Sequence, residues 1–178
     1  GDITGVKAGL VRDLKKSPFP AFVLISPNLC NDGHDDCDGT GLSGKLARIS
    51  GFLRVWVAAI KESDAYKNDG MIIITFDEAD LSTDLSDPQR TLRANEAASV
   101  PCCNEQPGPS ADKPGLFGLG GGRVGAIILS PLVAPGENAT PFNHYSLLRS
   151  MEDLFQLDHL GFARPDGLKT FQECGVFK

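Results

Sequence analysis

The chain has 178 residues, 41% of them hydrophobic and 22% charged, enough for one domain with its own core and too apolar for a disordered segment. Its net charge of −6 speaks against a nucleic-acid backbone as partner, because that needs clustered Lys and Arg. No apolar run reaches bilayer length, so no transmembrane segment is expected.

Residues 5–16 read as a short helix, with Val6, Leu10 and Leu14 recurring every four positions and Pro18 and Pro20 ending it. "AFVLI" at 21–25 has the length and composition of a strand. It runs into Ser26-Pro27-Asn28 and a polar loop, "NLCNDGHDDCDGTG". Leu46, Ile49, Leu53, Trp56 and Ile60 mark one face of a helix. Asp69-Gly70 reads as a turn, and "MIIITF" follows as a second strand whose lack of alternation suggests cover on both faces. Strand, helix, strand predicts the βαβ unit of a parallel sheet, hence an α/β fold.

Residues 79–122 form a long excursion rich in Pro, Gly and Asp with little periodicity. "GLGGGR" leads into a third strand, "VGAIILS". Asn143 then stands as N-cap before "YSLLRSMEDLFQL", a helix with Leu147, Leu148, Met151, Leu154 and Phe155 on its apolar side. The tail from 158 to 178 reads as loop, and the whole chain as one domain. The chain begins at Gly1, not Met, which reads as processed, trimmed or partial.

The five cysteines show no C-x-x-C spacing. They favour an oxidising compartment, with Cys30–Cys37 as a loop staple and Cys174 tied to the Cys102/Cys103 pair; buried free thiols are the alternative. Asn138-Ala-Thr140 is a glycosylation sequon if the source modifies secreted proteins.

In parallel sheets, ligands gather at the carboxyl ends of strands. The first predicted strand ends near Asn28, Asn31, Asp32, His34, Asp35, Asp36 and Asp38, and the second in Asp77-Glu78. If the strands are neighbours, carboxylates and imidazole converge on one rim, where a rigid carboxylate can hold a cation or a proton. Each piece also has a plain reading: a solvated turn, a surface loop, a surface histidine. An EF-hand is rejected, because His34 stands at the first ligand position and Lys45 where a bidentate Glu is needed. "GLGGGRVG" precedes a strand, unlike a phosphate-binding P-loop, and reads as a turn from which Arg123 could approach an anion. His144 is either a cap neighbour or a site residue. No G-x-S-x-G elbow is present.

"FVLISPNLCNDGHDDC", "GMIIITFDEAD", "CCNEQPGP", "GGGRVGAIILSPLVAPG" and "FNHYSLLRSMEDLFQLDHLGFA" occur in this order. As an ordered set they resemble the phosphoesterase family of bacterial secreted acid phosphatases and phospholipases C. The resemblance implies a three-layer αβα fold with a mostly parallel sheet, related to alkaline phosphatase. It also implies a secreted or periplasmic hydrolase of phosphate esters that uses a Ser or Thr nucleophile beside a divalent metal ion. By resemblance Asp77 and Glu78 are the acidic pair at the metal, and His34 lies near the phosphoryl group or leaving oxygen. Asn28, Asp32 and Asp35 orient its loop, and His144 supports the site. The small acid-phosphatase-like branch is the nearer likeness, with a phospholipase C or a non-catalytic cation- or phosphate-binding module as alternatives. The family's Glu-Asn metal motif and nucleophile lie upstream of "SPNLCNDGHD", whereas 26 residues precede Pro27 here, and Thr4 and Ser17 lack the expected context. The expectation is a carboxyl-terminal half, weakly active or inactive alone, whose open edge beside "AFVLI" or "MIIITF" favours self-association.

Overall fold

The computed structural model describes residues 9–16, 18–79, 105–110, 112–114 and 121–177. The chain divides into two compact units, one ending at Ile72 and the other beginning at Ile73. Cys102, Cys103, Thr4, Ser17 and most of the 79–122 excursion lie outside the described residues.

In the first unit the expected amino-terminal helix is present as one turn, α1 (Leu10–Asp13). Residues 21–25 form no strand, contrary to the sequence reading. Phe22 is 54% exposed and Leu24 81% exposed. A strand exists only when a neighbour takes up its N–H and C=O groups. Among the described residues the sheet has two strands, β1 (Ile72–Thr75) and β2 (Ala126–Leu129), and residues 21–25 make no ladder in it. The predicted βαβ unit is therefore absent among the described residues.

The long amphipathic helix is α2 (Leu42–Lys61), and Phe52 and Trp56 stack one turn apart on it with centroids 6.2 Å apart. Its amino end is closed from the preceding loop, not by a side chain of its own N-cap residue Gly41. Asp36 accepts the N–H groups of Thr40 (3.1 Å) and Gly41 (2.9 Å). Gly44 is required on the first turn, since a Cβ there would collide with the Thr40 hydroxyl and the Asp38 carboxylate. A helix the sequence reading passed over, α3 (Asp64–Asp69), starts at Ser63, whose hydroxyl accepts the Tyr66 N–H at 3.2 Å.

In the second unit the strands pair antiparallel. Thr75 bonds to the Gly125 carbonyl and Ala79 to that of Gly121, so one chain ascends as the other descends. Helix α4 (His144–Phe155) begins at the expected cap: Asn143 accepts the Ser146 N–H at 2.9 Å, and Ser146 Oγ accepts the Asn143 N–H at 3.3 Å. It ends at Gln156, which adopts φ 55°, while the Leu157 N–H closes on the Glu152 carbonyl at 2.8 Å.

The burial of α4 departs from its pattern. Ser146, Ser150 and Glu152 are buried, whereas Leu148, Leu154 and Phe155 are exposed. The tail explains the buried serine side. It holds a 3₁₀ turn (Gly161–Ala163), and its Phe171 packs edge-on against Phe142 (4.5 Å) and Phe177 (5.8 Å). Ser150 donates to the Ser146 carbonyl at 2.6 Å and accepts the Phe171 N–H at 2.8 Å, so a polar helix position is satisfied by the incoming tail.

Candidate functional site

The loop after residue 27 belongs to the first unit, and its residues have separate duties. Cys30 and Cys37 form the expected disulfide, with Cα atoms 5.6 Å apart. Just before that ring Asn28 accepts the Asn31 side-chain amide at 2.7 Å, and the Asn31 and Asp32 N–H groups return to the Asn28 carbonyl. The backbone turns at Gly33 (φ 98°), where a Cβ would also lie 2.8 Å from Ile49 Cδ1. Asp36 and Asp38 are spent on structure: the first caps α2, and the second binds Thr40 Oγ1 (2.6 Å) and Arg48 Nε (3.1 Å). The Thr40 hydroxyl, with Arg48 adding its charge, holds the Asp38 carboxyl below the usual carboxylate range.

Three contacts fix His34. Its N–H donates to Asp32 (2.8 Å), its carbonyl accepts Lys45 Nζ (2.7 Å), and its Nδ1 meets the Asp35 carboxylate at 2.9 Å. The Asp35 hydrogen bond, then its charge, pushes the imidazole above its usual value. With the Nδ1 proton directed at Asp35, the ring presents Nε2 as the atom able to give or take a proton. The imidazole is largely open to solvent, 72% exposed.

Asp77, Glu78, Arg123 and His144 belong to the second unit. Asp77 and Glu78 follow β1 and are exposed, as the sequence reading placed them. The His144 ring sits within hydrogen-bond reach of the Asp77 main-chain oxygen, 2.8 Å from Nε2. A carbonyl only accepts, so Nε2 carries the proton, and His144 acts on the chain path at Asp77. On the other side Ala79 N–H donates to the Gly121 carbonyl (2.8 Å), and Gly121 N–H donates to Glu105 Oε2 (2.9 Å). Arg123 is exposed, two residues beyond this clamp.

Next to the turn a cleft of about 70 Å3, room for a few waters or a small ligand group, opens among Thr75, Glu105, Gly122, His144, Leu147 and Phe171. Thr75 and Glu105 are site-lining residues that the sequence reading missed. The threonine was hidden in an apolar run, and the glutamate in a loop without periodicity. Cys174 carries a free thiol, and the Cys102/Cys103 pair to which it was expected to be tied lies outside the described residues. Among the described residues no three His, Cys, Asp or Glu side chains lie close enough together to hold a metal ion.

The described chain is thus a mixed α/β protein whose ionisable groups gather at a strand end, a helix start and a disulfide-closed loop. The family model for the Phosphoesterase family matches residues 3–158, and the chain belongs to that family. It is 26% identical over 156 residues to a probable acid phosphatase of Kluyveromyces lactis, covering 88% of this chain and 27% of the relative. An acid phosphatase of Aspergillus fumigatus is 32% identical over 66 residues, 37% of this chain and 13% of that protein. The chain thus spans about a quarter or less of the length of these curated relatives. No solved structure matches it at a significant level. Both relatives are fungal, whereas the motif resemblance pointed to bacterial enzymes. Among the described residues no helix is long and apolar enough to cross a membrane.

Proposed function

We propose that the chain supplies one part of a phosphate-ester hydrolase, a phosphomonoesterase of the acid-phosphatase kind. The observation that carries the reading is the family match over residues 3–158, which contains the Asp35-paired His34 and the clamped Asp77-Glu78 turn. Relatives named as acid phosphatases favour the monoester over the lipid phosphodiester of a phospholipase C. The complete sheet is larger and mostly parallel in this reading. The disulfide supports secretion into an oxidising compartment.

The roles are those that the family resemblance implies. A Ser or Thr hydroxyl from a segment upstream of these residues attacks phosphorus in line and gives up its proton to solvent, and its oxygen–phosphorus bond forms as the bond to the alcohol breaks. His34, whose protonated form the Asp35 hydrogen bond favours, gives the Nε2 proton to the departing alkoxide. The neutral ring then takes a proton from water as the water oxygen bonds to phosphorus; the Ser or Thr oxygen–phosphorus bond breaks, that oxygen regains a proton from solvent, and phosphate leaves. By resemblance Asp77 and Glu78 are the acidic pair of the phosphoryl-binding part, and Asn28 and Asp32 hold the His34 loop. Arg123 would neutralise an approaching phosphate. The divalent cation that the family implies needs ligands beyond those the described residues bring together, so the chemistry assigned to this chain is binding, orientation and proton transfer.

The test is p-nitrophenyl phosphate turnover by the natural-length protein that carries these residues. Asp77→Asn is expected to lower kcat by about 100-fold or more, the scale of losing a group that acts on developing charge. Unchanged turnover would overturn the reading. Robust turnover by the 178-residue chain alone would refute the upstream nucleophile.

A further inference from the structure

We propose that Glu105 is a positioning residue for the Asp77-Glu78 turn, acting through Gly121; the functional part of this inference rests on the phosphoesterase reading. Two peptide units flank Glu78, and each is held by its own bond. The peptide before it offers the Asp77 carbonyl, which accepts from His144 Nε2 at 2.8 Å. The peptide after it offers the Ala79 N–H, which donates to the Gly121 carbonyl at 2.8 Å. Gly121 does not stand free at this point, because Glu105 Oε2 accepts its N–H at 2.9 Å. A carboxylate acceptor makes this the stronger kind of hydrogen bond.

The separations argue that this is a built device and not a local turn. Glu105 lies 16 residues before Gly121. Gly121 in turn reaches back across the excursion to a residue just after β1. The approach is close: a Cβ on Gly121 would stand 3.4 Å from Glu78 Cβ and 3.7 Å from the Asp77 carbonyl oxygen. Glu105 is half-buried and lines the same cleft as Thr75 and His144. Removing its carboxylate leaves the Gly121 N–H without an acceptor and frees the segment that holds Ala79.

The experiment has two arms. The first is amide hydrogen exchange in the 178-residue chain, read at Gly121 and Ala79 for wild type, Glu105→Ala and Glu105→Gln. Loss of a charge-assisted bond predicts exchange at both amides about tenfold faster or more in the alanine variant. The glutamine variant retains an acceptor oxygen and is expected within about threefold of wild type, since a neutral acceptor is only modestly weaker. The second arm is kinetic, in the natural-length protein. Glu105→Ala is expected to lower kcat for p-nitrophenyl phosphate about tenfold with KM nearly unchanged, as for a lost transition-state alignment. Glu105→Gln restores it. Wild-type exchange at both amides in Glu105→Ala overturns the clamp. Faster exchange with unchanged kcat overturns its positioning role. Should Glu105→Ala fail to fold, Glu105→Asp, whose shorter arm cannot span the same gap, is read by the same two measurements and the same criteria. If Asp77→Asn leaves turnover intact, the phosphoesterase reading fails, and the exchange arm still decides the clamp on its own.

Discussion

Ser150→Ala tests how the tail is fastened to the second unit. Ser150 is fully buried, and its hydroxyl both donates to the Ser146 carbonyl at 2.6 Å and accepts the Phe171 N–H at 2.8 Å. Alanine removes the acceptor while Phe171, 5% exposed, stays packed between Phe142 and Phe177. A buried N–H left unpaired costs about 1–3 kcal/mol. The Ser146 carbonyl loses less, because a back-bond from Ser to the preceding turn competes with the helix. The small gain from alanine's higher helix propensity, about 0.5 kcal/mol, offsets part of this. The net expectation is about 2 kcal/mol of destabilisation, or a Tm lower by roughly 4–8 °C for a chain of this length. The assay is urea unfolding with tryptophan-independent far-ultraviolet dichroism, since Trp56 lies in the other unit. A midpoint unchanged within error would mean that Phe171 N–H finds another partner, and the fastening argument would be wrong. A second readout follows from position: Phe171 lines the cleft beside His144, so exchange of the Phe171 amide should rise together with that of the helix start.

Three further outcomes are expected. Asp35→Asn removes the first cause of the raised His34 value, so an NMR titration of the imidazole should move down toward its ordinary midpoint. The sign for stability follows: the His34–Asp35 pair stabilises fully below the ordinary imidazole value of about 6.5 and is lost as pH rises through the raised folded value, a dependence Asp35→Asn should flatten. Reduction of Cys30–Cys37, or Cys30→Ser with Cys37→Ser, should lower stability by about 2–3 kcal/mol on the chain-entropy account, with the His34 loop losing order before α2 does. Leu24→Asp in the exposed run should reduce self-association in light scattering of the 178-residue chain, and an unchanged particle mass would remove residues 21–25 from the associating surface.

Helices were the legible part of this fold. The 3.6-residue recurrence from Leu46 to Ile60 and the Asn143 cap are local signals, and both reappear as α2 and α4. Strands were legible only in part, because a strand is a statement about a neighbour. "MIIITF" and "VGAIILS" found each other and appear as β1 and β2, whereas "AFVLI", equally apolar, has no ladder partner among the described residues. Direction was not legible either. A βαβ reading presumed that α2 joins two parallel strands, but the strand after α2 pairs antiparallel with one beyond the excursion. The buried side of α4 escaped for a related reason: Ser150 looks like a surface position until Phe171 arrives from a distance in sequence to satisfy it, and the Ser146 hydroxyl is taken up in the Asn143 cap. The cap that makes α3 was present in the sequence as Ser63-Asp64, but six residues give too little periodicity to announce a helix.

The acidic loop shows how far composition can mislead about a site. Counted together, Asp32, Asp35, Asp36 and Asp38 suggest a cation-binding cluster. Their hydrogen bonds divide them instead. Asp36 closes the start of α2, and Asp38 ties Thr40 to Arg48, so neither carboxylate is left to bind a ligand without undoing the helix cap. Asp32 fixes the main chain at His34, and Asp35 fixes its ring and its charge. The loop's acidity therefore serves to present one oriented imidazole, with the disulfide and Lys45 holding the chain on which it rides. The same economy holds at the strand end. Of the groups around Asp77-Glu78, His144 and Glu105 act on main-chain atoms, and the two carboxylates of the turn itself stay exposed. In both places most of these charged residues hold the backbone, and a smaller set stays exposed.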